Sequence, residues 1–265
     1  MAGILDIVRA TPKNNCGECG FPTCMAFAAA VAAGQARPGL CAYLSRDFTG
    51  PGEETAGGGR PCSSDTILLK ELKAKVRGAD LSARAEGLGA VAELREDGEA
   101  VLVLTYLGDE IRISANHIEK VRGGELDPRD QILLYNYLFF GGKGALSGEW
   151  IGLESLPNSV SKVVTLRRYA EERLAAAFEE RAKDLEAACR ELGAETAQPC
   201  QADACLMVPV LPKVPILIYF WDADRAEGFP ARVKVVFDRR VNDFLDIESI
   251  VFCAERMTET LVEAM

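Results

Sequence analysis

Apolar positions along the chain switch between helical spacing and the two-residue alternation of strands, and the switches outline the elements. Leu5 to Ala10 predicts a short helix, stopped by Pro12 and the polar Lys13, Asn14 and Asn15. In TCMAFAAAVAAG, Thr23 is placed to cap an alanine-rich helix and Gly34 to end it. Thr49 to Pro61 reads TGPGEETAGGGRP and, proline aside, has no apolar side chain larger than alanine, which predicts a linker at 49–61 between domains at 1–48 and 62–265.

After the linker, Ser64 or Asp65 is placed to cap a helix through Val76. AVAELRE, EAVLVLTYL and DEIRISA then alternate as strands, with turns at Asp97-Gly98 and Gly108-Asp109. Helices are predicted over Pro128–Phe140 and, as one long amphipathic element, over Lys162–Leu192. Strands follow at Met207–Val210, Val214–Trp221 and ARVKVVFD, then a helix from Asp246 to Met265. This order predicts an α+β protein, a small helical domain followed by a larger mixed domain with antiparallel strands and helices. No internal repeat of fixed period is present.

Composition bounds the function. Forty acidic against thirty basic residues give a net charge of -10, which disfavours nucleic acid and anionic lipid as partners. No stretch approaches the roughly 20 apolar residues of a membrane span, and MAGILDIVRATPKNN has acidic Asp6 and no secretory apolar run, so a cytoplasmic location without membrane insertion is expected. Nine cysteines then point to thiolate chemistry more than to disulfides.

Four of them, Cys16, Cys19, Cys24 and Cys41, follow C-x2-C-x4-C-x16-C with Gly17 and Gly20 flanking the second. Four thiolates meet the ligand demand of a [4Fe-4S] cubane, and the glycines let amide N–H groups turn toward sulfur. Cys24 falls in the first turn of the alanine-rich helix, where unpaired amides and the helix dipole favour an anionic centre. Four-cysteine zinc sites usually comprise two C-x2-4-C knuckles, and here the second half offers one cysteine. A domain of about 48 residues is also small enough to depend on a metal centre for stability.

The stretch PKNNCGECGFPTCMAFA, followed by Cys41-Ala42-Tyr43-Leu44, resembles the N-terminal cluster domain of the large subunit of the corrinoid iron-sulfur protein over about residues 1–48. Similar four-cysteine domains occur in electron-transport complex subunits. The resemblance implies a low-potential [4Fe-4S] centre on Cys16, Cys19, Cys24 and Cys41, which in the corrinoid protein reduces cobalt to its methyl-accepting state. That protein continues into a large barrel, for which the residues after 48 leave no room. From Ala90 on, EWIGLESLPN and VPILIYFWDADRAEGFPARVKVVFD are similar to an uncharacterised family of anaerobe proteins fused to this cluster domain, which implies no activity.

Other candidates carry ordinary explanations beside the functional ones. Cys200 and Cys205, in CQADAC, are a candidate second metal half-site or a redox pair with Cys189 or Cys62; Cys189 lies on one helical stripe with Leu174, Phe178 and Leu185, which marks it as core, and Cys253 reads as packing. His117, the one histidine, reads as surface, and Gly141-Gly142-Lys143-Gly144 as a loop without a P-loop's context. Asp222, Asp224 and Glu227 read as a solvated turn and only secondarily as a cation site. Trp150, Trp221, Phe229 and Phe237 read as strand packing or a pocket lining.

The reading is an iron-sulfur protein of anaerobic metabolism that transfers electrons at low potential, its cluster tuned by Glu18, Lys13 and amide N–H groups. Its expected partner is a redox protein such as a ferredoxin or a corrinoid protein. The alternatives are a structural or redox-sensing cluster in a protein-interaction module, and an enzyme whose second domain binds a substrate that takes the electrons. No catalytic constellation is recognisable.

Overall fold

The structure, a computed structural model, describes residues 4–11, 13, 19–21, 23–32, 36–41, 43–44, 64–95, 98–142 and 144–265. The chain divides into two compact units, Met1–Ser63 and Ser64–Met265. The expected linker at 49–61, Gly34 and Cys62 lie outside the described residues.

The first unit contains α1 (Ile4–Ala10), α2 (Cys24–Ala32) and a 3-10 turn at Pro38–Leu40. The two helices pack through a small core of Ile7, Phe27, Ala28, Val31, Cys41 and Leu44. Thr11 donates its hydroxyl to the carbonyl of Val8 at 2.8 Å just beyond α1. As expected, Thr23 caps α2: its hydroxyl accepts from the amide of Ala26 at 3.0 Å.

The second unit is α+β. After α3 (Ser64–Arg77) and α4 (Leu81–Leu88), strands β1 (Val91–Leu94), β2 (Ala100–Tyr106), β3 (Asp109–Ile113) and β4 (Ile118–Lys120) form an antiparallel meander in the order β1-β2-β3-β4. Then come α5 (Pro128–Phe140), β5 (Trp150–Gly152), α6 (Val160–Leu166), a π-helical turn at Arg167–Glu171, α7 (Glu172–Phe178) and α8 (Ala182–Glu191). Strands β6 (Glu195–Thr196), β7 (Ala204–Leu211), β8 (Val214–Trp221) and β9 (Arg232–Asp238) precede the last helix, α9 (Ile247–Glu263). The second sheet is antiparallel throughout, in the order β5-β9-β8-β7-β6.

The apolar core follows from these periodicities. Ile216, Ile218 and Phe220 of β8 and Val233, Val235 and Phe237 of β9 alternate onto one sheet face and bury there with Leu174 and Phe178 of α7 and Ile250, Cys253, Met257 and Leu261 of α9. The amide of Leu107 donates to the carbonyl of Val210 at 3.1 Å, tying the end of β2 to β7 of the other sheet.

Three expectations are corrected. The β2–β3 turn lies at Leu107-Gly108, one residue earlier than Gly108-Asp109: both turn residues have positive φ, +47° and +81°, the backbone a two-residue hairpin demands. Lys162–Leu192 is not one helix; α7 and α8 are separated at Glu179–Arg181, where Glu180 has φ +60° and its amide donates to Asp222 Oδ1 at 2.6 Å. A straight helix of that length would run roughly 46 Å, whereas the eight-residue strands beneath it span about 27 Å. The chain must therefore turn back to bury both Phe178 and Leu185. Finally, α4, β4, β5 and β6 join the predicted elements; α4 has its own signals in the Asp80 side chain, which accepts from the amide of Ala83, and the left-handed Gly89 that ends it.

Candidate metal centre

Of the four predicted ligands, three lie among the described residues of the first unit, and Cys16, with Gly17 and Glu18, lies outside them. Cys24 opens α2 and is buried. The first intrahelical amide is that of Phe27, bonded to the carbonyl of Thr23 at 3.0 Å, so the thiol projects from the turn where helix amides precede their ladder. Cys41 ends the 3-10 turn. Its amide donates to Pro38 and its carbonyl accepts from Leu44, both at 3.2 Å, which fixes the residue in the core with Phe27, Val31 and Leu44. Cys19 is half-buried against the same core and is followed by Gly20 at φ +82°, a conformation that only glycine adopts without strain.

Among the described residues, no three histidine, cysteine, aspartate or glutamate side chains converge into a metal-binding group. The donor chemistry still fits an iron-sulfur centre: Cys41 and Cys19 lie at an apolar core of Phe27, Val31 and Leu44, Cys24 is buried in the first turn of α2, and no acidic side chain in that turn competes for its amides.

The remaining candidates separate clearly. Cys200 and Cys205 form a disulfide with each other, Cα to Cα 5.6 Å, which corrects the pairing with Cys189. Cys189 is fully buried on α8, and burial pushes its thiol up to about 12; burial likewise raises Cys253, fully buried on α9. His117 is exposed, its Nε2 3.5 Å from Glu119. The loop after α5 begins with the left-handed Gly141 and packs Gly142 against Phe244 and the Gly87 carbonyl, and Lys143 lies outside the described residues. Asp222 and Asp224 each accept two backbone amides, Asp222 from Glu180 and Ala223 and Asp224 from Ala226 and Glu227, so these carboxylates brace turns.

The four aromatics do not gather. Phe237 is core, Phe229 is exposed and Trp150 of β5 lies opposite Asp238 of β9. Trp221 alone of the four walls a cavity of about 470 Å³ with Arg167, Glu171, Arg232 and Lys234. Glu171 was not foreseen: the π turn brings this buried carboxylate to the outer edge of β9, where it accepts the Val235 amide at 3.0 Å and meets Lys234 at 3.4 Å. A charged residue inside an apolar helical stripe is the signal that could have found it.

No helix among the described residues is long and apolar enough to cross a membrane. Residues 12–43 match a family model described as "Putative Fe-S cluster", and residues 80–260 match one described as "Domain of unknown function (DUF3786)". A segment of 41 residues, 16% of the chain, is 54% identical to the corrinoid/iron-sulfur protein large subunit of Moorella thermoacetica and spans 9% of that protein's length. No solved structure matches.

Proposed function

From a chain that belongs to the DUF3786 family and carries an iron-sulfur segment at its N-terminus, we propose that Cys16, Cys19, Cys24 and Cys41 hold one [4Fe-4S] cluster used for low-potential electron transfer. The observation that carries this reading is the coincidence of the C-x2-C-x4-C-x16-C spacing with the Fe-S family match and the 54% identical segment. When bound, such a cluster supplies a one-electron couple. The chain's part is to hold the thiolates in the small unit, to direct first-turn amides of α2 toward negative charge, and to keep Phe27, Val31 and Leu44 packed behind Cys41 so that water is excluded from that side. The redox partner is a protein such as a ferredoxin or, given the name of the similar protein, a corrinoid protein.

The test is iron and sulfide assay with low-temperature electron paramagnetic resonance on anaerobically purified, dithionite-treated protein. About four irons per chain and a fast-relaxing signal are expected, with both lost in a Cys24→Ala variant. One zinc per chain and no signal would overturn the reading. A cluster that disassembles on oxidation without a reversible couple would replace the electron-transfer role by a sensing one.

A further inference from the structure

The disulfide of the second unit is poorly placed as a structural staple. It closes a sequence separation of five residues, and short loops gain least from closure. Its segment is already held by other bonds. The amide of Asp203 donates to Phe220 O at 2.9 Å, the Asp203 carboxylate accepts from the amide of Asp222 at 2.7 Å, and Trp221 donates its indole N–H to Gln201 O at 3.1 Å. Cys205 is fixed between Tyr219 of β8 and the amide of Ala197, which donates to its carbonyl at 2.9 Å. Opening the sulfur–sulfur bond therefore leaves the backbone pinned.

The two cysteines differ in exposure. Cys205 is 1% exposed, whereas Cys200 is half-buried. Cys200 Sγ also lies 3.2 Å from the carbonyl oxygen of Ala202, an acceptor in place for a thiol proton. Trp221 touches this segment through Gln201, so its indole reports on the loop.

We propose that Cys200 and Cys205 form a reversible two-electron thiol–disulfide site, reduced by a dithiol that attacks at Cys200. The reductant's thiolate bonds to Cys200 Sγ as the Cys200–Cys205 bond breaks, and Cys205 leaves as a thiolate and takes a proton. The reductant's second thiol then attacks its own mixed-disulfide sulfur. Cys200 is released, protonates and donates to Ala202 O, while the reductant leaves as a disulfide. The dithiol supplies both electrons, so the site works with or without a cluster.

The test equilibrates the anaerobic full-length chain, without denaturant, in graded ratios of reduced to oxidised dithiothreitol, followed by acid quench, alkylation and tryptic mass analysis. Cleavage after Arg190 and Lys213 isolates Cys200 and Cys205 from every other cysteine. The expected result is that this peptide gains two alkyl groups together in reducing buffers and none after return to oxidising ones. In a Trp150→Phe chain, Trp221 emission follows the same midpoint. A disulfide that resists until the chain unfolds, or thiols alkylated even in oxidising buffer, would overturn the proposal. With oxidised 2-mercaptoethanol, Cys200 in a Cys205→Ser chain is expected to form its mixed disulfide at least about tenfold faster than Cys205 in a Cys200→Ser chain; equal rates would overturn attack at Cys200. The peptide is read by mass, so failure here leaves the iron-sulfur reading standing, and the converse.

Discussion

At the scale of single residues, two buried carboxylates hold the second unit together. Asp130 is 4% exposed, is gripped by Arg256 through Nε at 2.8 Å and Nη2 at 2.9 Å, and accepts the Tyr106 hydroxyl at 2.8 Å. Burial, then the Asp130 charge, drive the tyrosine's pKa upward, and the hydrogen bond to Asp130 does the same for Arg256, so both donors keep their protons. Asp130→Ala leaves the partly buried Arg256 guanidinium with Glu259 and the Tyr106 hydroxyl without its acceptor, and is expected to cost about 2–3 kcal/mol, measured by urea unfolding; a loss under about 1 kcal/mol would show that Glu259 suffices alone. Asp238 ends β9 and accepts from the amides of Ser147, Gly148 and Arg240 and from the Ser147 hydroxyl. Burial opposes its charge, but those bonds win and lower its pKa. A lowered folded pKa contributes stability above the unfolded value of about 3.9 that is lost as pH falls through the folded one. Asp238→Asn is therefore expected to cost about 2 kcal/mol at neutral pH, with the gap to the parent narrowing below about pH 4. A gap independent of pH would exclude the charge as its source. Neither carboxylate was legible in the sequence: Asp130 and Arg256 stand 126 residues apart, and no local pattern connects them.

At the scale of elements, the strands and the capped helices were readable because their signals are local. The alternation in β2, β3, β8 and β9 and the cap Thr23 each lie within a few residues of what they specify. The break between α7 and α8 was not. The stripe Leu174, Phe178, Leu185 and Cys189 runs through it in phase and EERAKD has neither glycine nor proline, so only the extent of the sheet beneath decides where the helix ends. Strands β4 and β5 have three residues each, too few to show a period. The break itself makes a prediction. Glu180 adopts φ +60°, costly for a residue with a Cβ, and in exchange has an exposed ion pair with Arg225. Glu180→Gly removes the strain and is expected to raise unfolding stability by roughly 0.5–1 kcal/mol. A lower urea midpoint would mean that the Arg225 pair outweighs the backbone term.

At the scale of the whole molecule, the two units differ in what can hold them folded. The described core of the first consists of Ile7, Phe27, Ala28, Val31, Cys41 and Leu44, covered among the described residues by α1, α2 and a 3-10 turn. The unit, Met1–Ser63, is of a size at which an apolar core alone is marginal, and on the proposed reading a thiolate-bound cluster would supply the difference, ligand binding and folding being one equilibrium. The second unit has two sheets around a continuous core that runs from Leu72 to Leu261, and among its described residues no metal-binding group exists. Iron removal should therefore act on one unit only. Amide hydrogen exchange on the anaerobic protein, before and after iron is stripped with a chelator and ferricyanide, is expected to show protection lost in α1 and α2 and unchanged in β7, β8, β9 and α9. A chain of residues 64–265 alone is expected to melt at the same temperature as the second transition of the full chain. Loss of protection across β8 and α9 on iron removal would mean that the larger unit depends on the metal as well, and coupling between the units would then have to enter any account of how electrons reach a partner.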